Sequence, residues 1–206
     1  MSNEIQKTAP PALPLAPEEY KRPFMDQNSN VLRLFFNRLV STIDAVLDTD
    51  AGGKFLYMPY GGFYSTVAQT AAVANTGYAV TFNTTNVQQK VDVVSNSRIT
   101  VDNDGVYLIK ASLQLESTNS STKEVSVWMK KNGTDVAYSA HEYVVAGSGQ
   151  KEIANWNNII SLTALDYVEL FWATNDVNME LHTHAAVAPR PAVASATVAV
   201  TFVSNV

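Results

Sequence analysis

The side chains with the greatest capacity for chemistry lie in Glu180-Leu-His-Thr-His184. On a strand, residues two apart point to the same face. Glu180, His182 and His184 would then line up, and two imidazoles with a carboxylate suit Zn, Fe or Ni. The same residues fit a polar strand face without an ion, because two histidines alone are a weak metal signal. His141 is the one other histidine, and the absence of Cys removes thiolate metal sites, Cys nucleophiles and disulfides together. No catalytic residue is predicted. The sequence holds no Gly-x-Ser-x-Gly elbow, no Gly-rich phosphate loop and no His-Glu-x-x-His helix. Glu18 and Glu19 sit among prolines, where nothing would fix a general acid against a base, and Ser148 between two glycines has no base argued for it.

Composition narrows the classes further. The chain has 206 residues, a net charge of −5 and only 16% charged residues, against about 25% in an average soluble domain. Ser, Thr, Asn and Gln must supply much of the surface, which suits a rigid β-protein more than a helical enzyme. An acidic balance without a Lys/Arg-rich run leaves no electrostatic footprint for nucleic acid. No run approaches the roughly 18 apolar residues of a membrane span, and Met-Ser-Asn-Glu-Ile-Gln-Lys lacks a signal-peptide core. The expectation is a protein made in the cytoplasm without membrane insertion. Asn83, Asn119 and Asn132, each in an Asn-x-Ser/Thr triplet, read as turn and strand-edge residues.

The elements that must position these side chains follow from periodicity. Five of the eight prolines precede residue 24, so residues 1–23 read as an extended arm, either a free tail or a strap laid on another chain. Residues 24–50 read as a helix. From about Asn28 to Asp48, Leu32, Phe36, Leu39, Ile43 and Val46 follow the 4-3-4-3 spacing of a coiled-coil seam. Asn28, Ser29 and Asn30 are cap candidates, and Ala51-Gly52-Gly53 is the stop. Packing of this helix on its own domain is the other reading. Residues 51–77 read as a Gly/Tyr-rich hinge and first strand, and residues 78–206 as a β knob.

Within the knob, Tyr107, Ile109, Ala111, Leu113 and Leu115 alternate with polar or outward residues, as do Val125, Val127 and Met129. Ala154, Trp156, Asn158, Ile160 and Leu162 form another inward set, then Val168, Leu170 and Trp172, then Ala196, Val198, Val200 and Phe202. Asn132-Gly133 reads as a tight hairpin turn into a strand over Val136–Val145. Short strands at this spacing predict a sandwich or jelly roll.

The order Gly105-Val-Tyr-Leu108, Val127-Trp-Met-Lys-Lys-Asn-Gly133, Leu162-Thr-Ala-Leu-Asp-Tyr-Val168 and Val200-Thr-Phe202 resembles the C1q/TNF-like jelly roll. Leu165 stands where that family usually has Gly. Gly62-Phe-Tyr-Ser-Thr-Val-Ala-Gln69, Val80-Thr-Phe-Asn83, Ser97-Arg-Ile99, Lys131–Val136, the Tyr167–Trp172 strand and Asn30–Leu39 are similar to segments of virion proteins of tailed bacteriophages. The resemblance implies a mainly β chain: a C1q/TNF-like jelly-roll sandwich preceded by an extended N-terminal arm and one α-helix. It further implies a homotrimer in the virion, a fibre or capsid-decoration knob, with residues 1–50 fixing it to other capsid or tail proteins. A threefold axis would gather six imidazoles from His182 and His184, as in some phage spike and fibre proteins. Apart from such an ion, no cofactor is expected.

Tyr167 and Phe171 fall opposite Val168, Leu170 and Trp172, and Trp128 falls opposite Val127 and Met129. Aromatics on faces that should be wet indicate either a subunit contact or cover by loops of the same chain; the subunit contact is the expected one. Two further functions stay open. One is host attachment, with the loops Ser117–Lys123 and Ala146–Lys151 meeting a surface glycan or protein; the other, less favoured, is polysaccharide degradation, which would need a carboxylate cluster in a groove.

Overall fold

The computed structural model describes residues 11–13, 18–47 and 58–205. Pro10, Pro14, Pro17, the Ala51-Gly52-Gly53 stop and the hinge as far as Tyr57 lie outside these residues. The helix α1 spans Arg22–Leu47 and so begins before the predicted caps. Pro23 falls in its first turn, where no N–H is required and the ring presets a helical φ. Asn28, Ser29 and Asn30 therefore lie inside the helix, where Asn30 Oδ1 accepts a hydrogen bond from Arg33 at 2.8 Å. Among the described residues of α1 none is buried.

The chain divides into two units, Met1–Tyr57 and Met58–Val206. The β unit thus starts at Met58 rather than at residue 78. Its first seven strands are β1 (Tyr60–Ser65), β2 (Gln69–Thr70), β3 (Tyr78–Ala79), β4 (Thr84–Gln89), β5 (Val91–Val94), β6 (Arg98–Val101) and β7 (Gly105–Ser117). The rest are β8 (Thr122–Lys131), β9 (Thr134–Asp135), β10 (His141–Ala146), β11 (Lys151–Leu162), β12 (Tyr167–Thr174), β13 (Met179–Leu181) and β14 (Ala196–Ser204). They form two antiparallel sheets, as in a β-sandwich.

The first sheet runs β11–β7–β14–β1–β4, with β13 and β2 continuing beside the end of β7. The second runs β10–β8–β12–β6–β5, with β3 beside β12 and β9 beside β8. The main pairings are nested along the chain: β1 with β14, β6 with β12, β7 with β11, and β8 with β10. One long antiparallel ribbon, folded at β8–β10, therefore supplies strands to both sheets.

The core lies where the alternation puts it. Tyr107, Ile109, Leu113, Leu115, Val125, Val127, Met129, Trp156, Leu170, Trp172 and Val200 are all buried. The turn residues behave as their chemistry requires. Asn132 and Gly133 both have positive φ, 50° and 82°, the geometry of a tight hairpin whose twist matches its strands. Strand β9 beyond that turn is only two residues long, and the chain is irregular until His141. Leu165 adopts φ 70°, so the turn before Asp166 keeps a left-handed conformation in spite of a branched side chain.

That turn is held by the Asp166 carboxylate, which accepts hydrogen bonds from Asn132 Nδ2 at 2.6 Å and from Thr163 N and Oγ1 at 2.8 Å each. Lys131 Nζ lies 2.9 Å away. Burial pushes this carboxyl up, but Lys131, Asn132 and Thr163 outweigh it and hold it well below the usual carboxylate range. A depressed native value means that Asp166 stabilises the fold above the unfolded aspartate value of about 3.9 and loses that contribution as pH falls below it. Asp166→Asn should therefore melt below wild type at pH 7, with the gap narrowing steadily below about pH 4. Melting temperature against pH for the two proteins checks this, and a gap independent of pH would refute it.

Candidate metal centre

Strand β13 is short and places its neighbours through pairing with β7. Glu180 lies opposite Glu116 and Leu181 opposite Leu115, while Met179, Leu181 and Leu115 are fully buried. Alternation then turns Glu180 and Glu116 to the outer face. The chain continues alongside β7, with His182 N donating to Gln114 O at 2.8 Å. A bridge between His184 and Val193 holds the second histidine, through hydrogen bonds of 3.1 and 2.8 Å.

The imidazoles meet there: the rings of His182 and His184 are 4.4 Å apart at 52°. His184 Nε2 is 3.0 Å and His182 Nε2 3.8 Å from Glu116 Oε2. Each of these residues can offer one ligand atom, and all three atoms lie within 4.8 Å of one another. Glu180 occupies a different place from the predicted one. Its Oε1 lies 2.5 Å from His182 Nδ1, on the far side of that ring, so Glu116 takes the position of the third donor. A carboxylate on Nδ1–H leaves Nε2 with the free lone pair. Lys151, opposite Glu116 on β11, holds the other carboxylate oxygen at 3.1 Å. The cluster is complete within one chain.

Glu116 was legible only as an outward residue of β7. The pairing that brings it to the histidines joins segments distant in sequence, and no spacing signals it.

The predicted interface aromatics lie on the outer face of the second sheet, and all three are half-buried. Trp128 and Phe171 are ring neighbours at 5.7 Å. Trp128 Nε1 donates to Asp135 Oδ1 at 2.7 Å, Lys130 Nζ lies 4.5 Å from the Phe171 ring centroid, and the Arg98 guanidinium lies 4.8 Å from that of Tyr167. Cations and a carboxylate of the same chain thus already contact these rings. On α1, Leu32, Leu39 and Val46 are half-buried, whereas Phe36 and Ile43 are exposed.

In the loop Ser117–Lys123, Thr118, Ser120, Ser121 and Thr122 are exposed, while the two ends turn inward. Lys123 is fully buried; its Nζ donates to Ser117 Oγ at 2.8 Å, to Asn119 Oδ1 and to Ser121 O at 3.1 Å. The loop Ala146–Lys151 is tied to it, with Gly149 N donating to Ser117 O at 2.7 Å. The first sheet carries an open groove on its outer face, of about 570 Å³, lined among others by Tyr64, Asn86, Lys110, Ser112, Asn155 and Asn157. It contains no Asp or Glu.

No family model matches this chain, and no curated protein matches it either. Among the described residues, no helix is long and apolar enough to cross a membrane.

Proposed function

We propose that the chain is a structural protein of a tailed-phage virion: a homotrimeric fibre or capsid-decoration knob. Residues 1–50 would anchor it to other particle proteins. The observation that carries this reading is the surface of α1. Phe36 and Ile43 of the expected coiled-coil seam are exposed, Leu32, Leu39 and Val46 are half-buried, and the exposed Val40 and Leu47 widen the apolar stripe. A helix presenting such a stripe is apolar where water would otherwise lie, and further copies of the same helix would cover it. The number three comes from the resemblance to C1q/TNF-like proteins. Nested pairing of β1 with β14, β6 with β12, β7 with β11 and β8 with β10 supports the jelly-roll reading of this β-sandwich. The chain acts as a scaffold rather than an enzyme in this reading.

Deletion of residues 1–48 tests the anchor. The full chain should sediment as a trimer and join particles, while the truncated chain should stay folded and be lost from them. Incorporation of the truncated chain at full-length levels would overturn the reading. The groove favours a second reading, attachment to a host glycan, because Tyr64 offers a ring face and Asn86, Asn155 and Asn157 offer amides. Binding of residues 58–206 to host cells, abolished by Tyr64→Ala, would support it; absence of binding across permissive hosts would remove it.

A further inference from the structure

We propose that Glu116, His182 and His184 form a binding site for one divalent transition ion of the zinc class, with Glu180 as the positioning residue for His182. Three observations converge. First, the donor set is two imidazole nitrogens and one carboxylate oxygen, which favours Zn²⁺, Co²⁺, Ni²⁺ or Fe²⁺ over Ca²⁺ or Mg²⁺. Metal–donor lengths of about 2.0–2.1 Å place tetrahedral donor pairs about 3.3 Å apart. Glu116 Oε2 is 3.0 Å from one imidazole nitrogen and 3.8 Å from the other, and the three donor atoms lie within 4.8 Å of one another, so binding draws the two imidazoles together around the ion.

Second, the two atoms nearest each other are both unsatisfied. Glu116 Oε2 and His184 Nε2 are buried from solvent, and neither has a hydrogen-bond partner in spite of their 3.0 Å separation. Buried polar atoms are ordinarily paired, and a cation bound by both lone pairs would satisfy them together. Third, the surroundings are those of a metal centre. Glu180 on His182 Nδ1 at 2.5 Å makes the carboxylate–histidine pair that fixes the tautomer and aims Nε2. Lys151 holds Glu116 Oε1 at 3.1 Å, which leaves Oε2 as the single ligating oxygen. Three protein donors leave the remaining coordination position to water. The site belongs to the β unit and does not depend on particle assembly.

The test uses the full chain without an affinity tag, stripped of metal with EDTA. Zn²⁺ is titrated calorimetrically, and imidazole resonances are followed by NMR. One ion per chain should bind, and the ring signals of His182 and His184 should shift while that of His141 stays. Glu116→Gln and His184→Gln should each weaken binding at least tenfold. Glu180→Gln should weaken it about 10–100-fold without abolishing it, and His141→Gln should change nothing. The absence of saturable binding to wild type, or a Zn²⁺-induced shift of His141 instead of the pair, overturns the site. These wild-type readouts hold even if a variant fails to fold.

Discussion

Lys123→Met is expected to destabilise the β unit by about 3 kcal/mol. Lys123 occupies a core-facing position of β8, in register with buried Val125, Val127 and Met129, and it is itself fully buried. Its stem fills space that Met would also fill, so the loss is electrostatic. The ammonium donates to Ser117 Oγ, Asn119 Oδ1, Ser121 O and, at 3.2 Å, Ser121 Oγ, and lies 4.0 Å from Asp176 Oδ2. Removing it takes their shared donor from these acceptors, of which Ser117 is buried and Asn119 Oδ1 keeps its bonds from Ser121 N and Oγ; a buried unsatisfied group costs about 1–3 kcal/mol.

Water reaches the outer part of the cage, which keeps the total near the middle of what several such groups would sum to. On a scale of about 2–4 °C per kcal/mol for a domain of this size, the melting temperature should fall by about 6–12 °C. Asp176 is the informative partner. Hydrogen bonds from Ser121, Asn178 and Asn119 hold its carboxyl well below the usual range. A double-mutant cycle of Lys123→Met with Asp176→Asn should show strong coupling. Urea unfolding of the four proteins measures it; a loss under 1 kcal/mol for Lys123→Met would mean that the cage carries little stability.

Gly105→Val is expected to cost about 3 kcal/mol, at the upper end of overpacking losses. Gly105 opens β7, and a Cβ there would stand 2.3 Å from Phe202 Cε2, 2.9 Å from Cδ2 and 3.0 Å from the backbone oxygen of Ser204. Phe202 cannot yield easily. It is buried, and its ring packs edge-on against Tyr107 at 5.6 Å. Tyr107 is pinned in turn, its hydroxyl donating to Asn103 O at 2.7 Å. Burial, with Asp102 and Asp104 nearby, pushes that phenol up to about 12. Gly105→Ala should show a smaller loss, and Phe202→Leu should relieve part of it, so that the double variant is more stable than additivity predicts. Chemical denaturation of the four variants decides the matter, and strict additivity would separate the glycine from the ring.

Both predictions rest on contacts that sequence reading approached from one side only. Gly105, Tyr107 and Phe202 were recognisable as motif residues at the two ends of the β unit, yet their mutual contact comes from the pairing of β7 with β14. Lys123 read as part of an exposed loop because lysine is rarely buried; its place in the period-2 pattern of β8 was the available signal. A first strand is expected somewhere within residues 51–77, but its bounds are not legible because Gly61-Gly62 lowers strand propensity. A Cβ at Gly61 would meet the Phe63 ring at 2.5 Å, so the strand needs that glycine. Helix α1 began earlier than expected because Pro23 was counted with the arm rather than with a first turn.

The sequence by itself determined the alternation of the long strands, the hairpin at Asn132-Gly133, one helix with an apolar stripe, and the outward placement of His182. These depend on local stereochemistry and on which side chains water excludes, and both are written in neighbouring residues. Tertiary structure alone decided that Glu116 joins His182 and His184, that Glu180 turns to the far side of the His182 ring, and that Lys123 lies inside. Each of these depends on which strands pair and in what register, a choice made by the whole core at once.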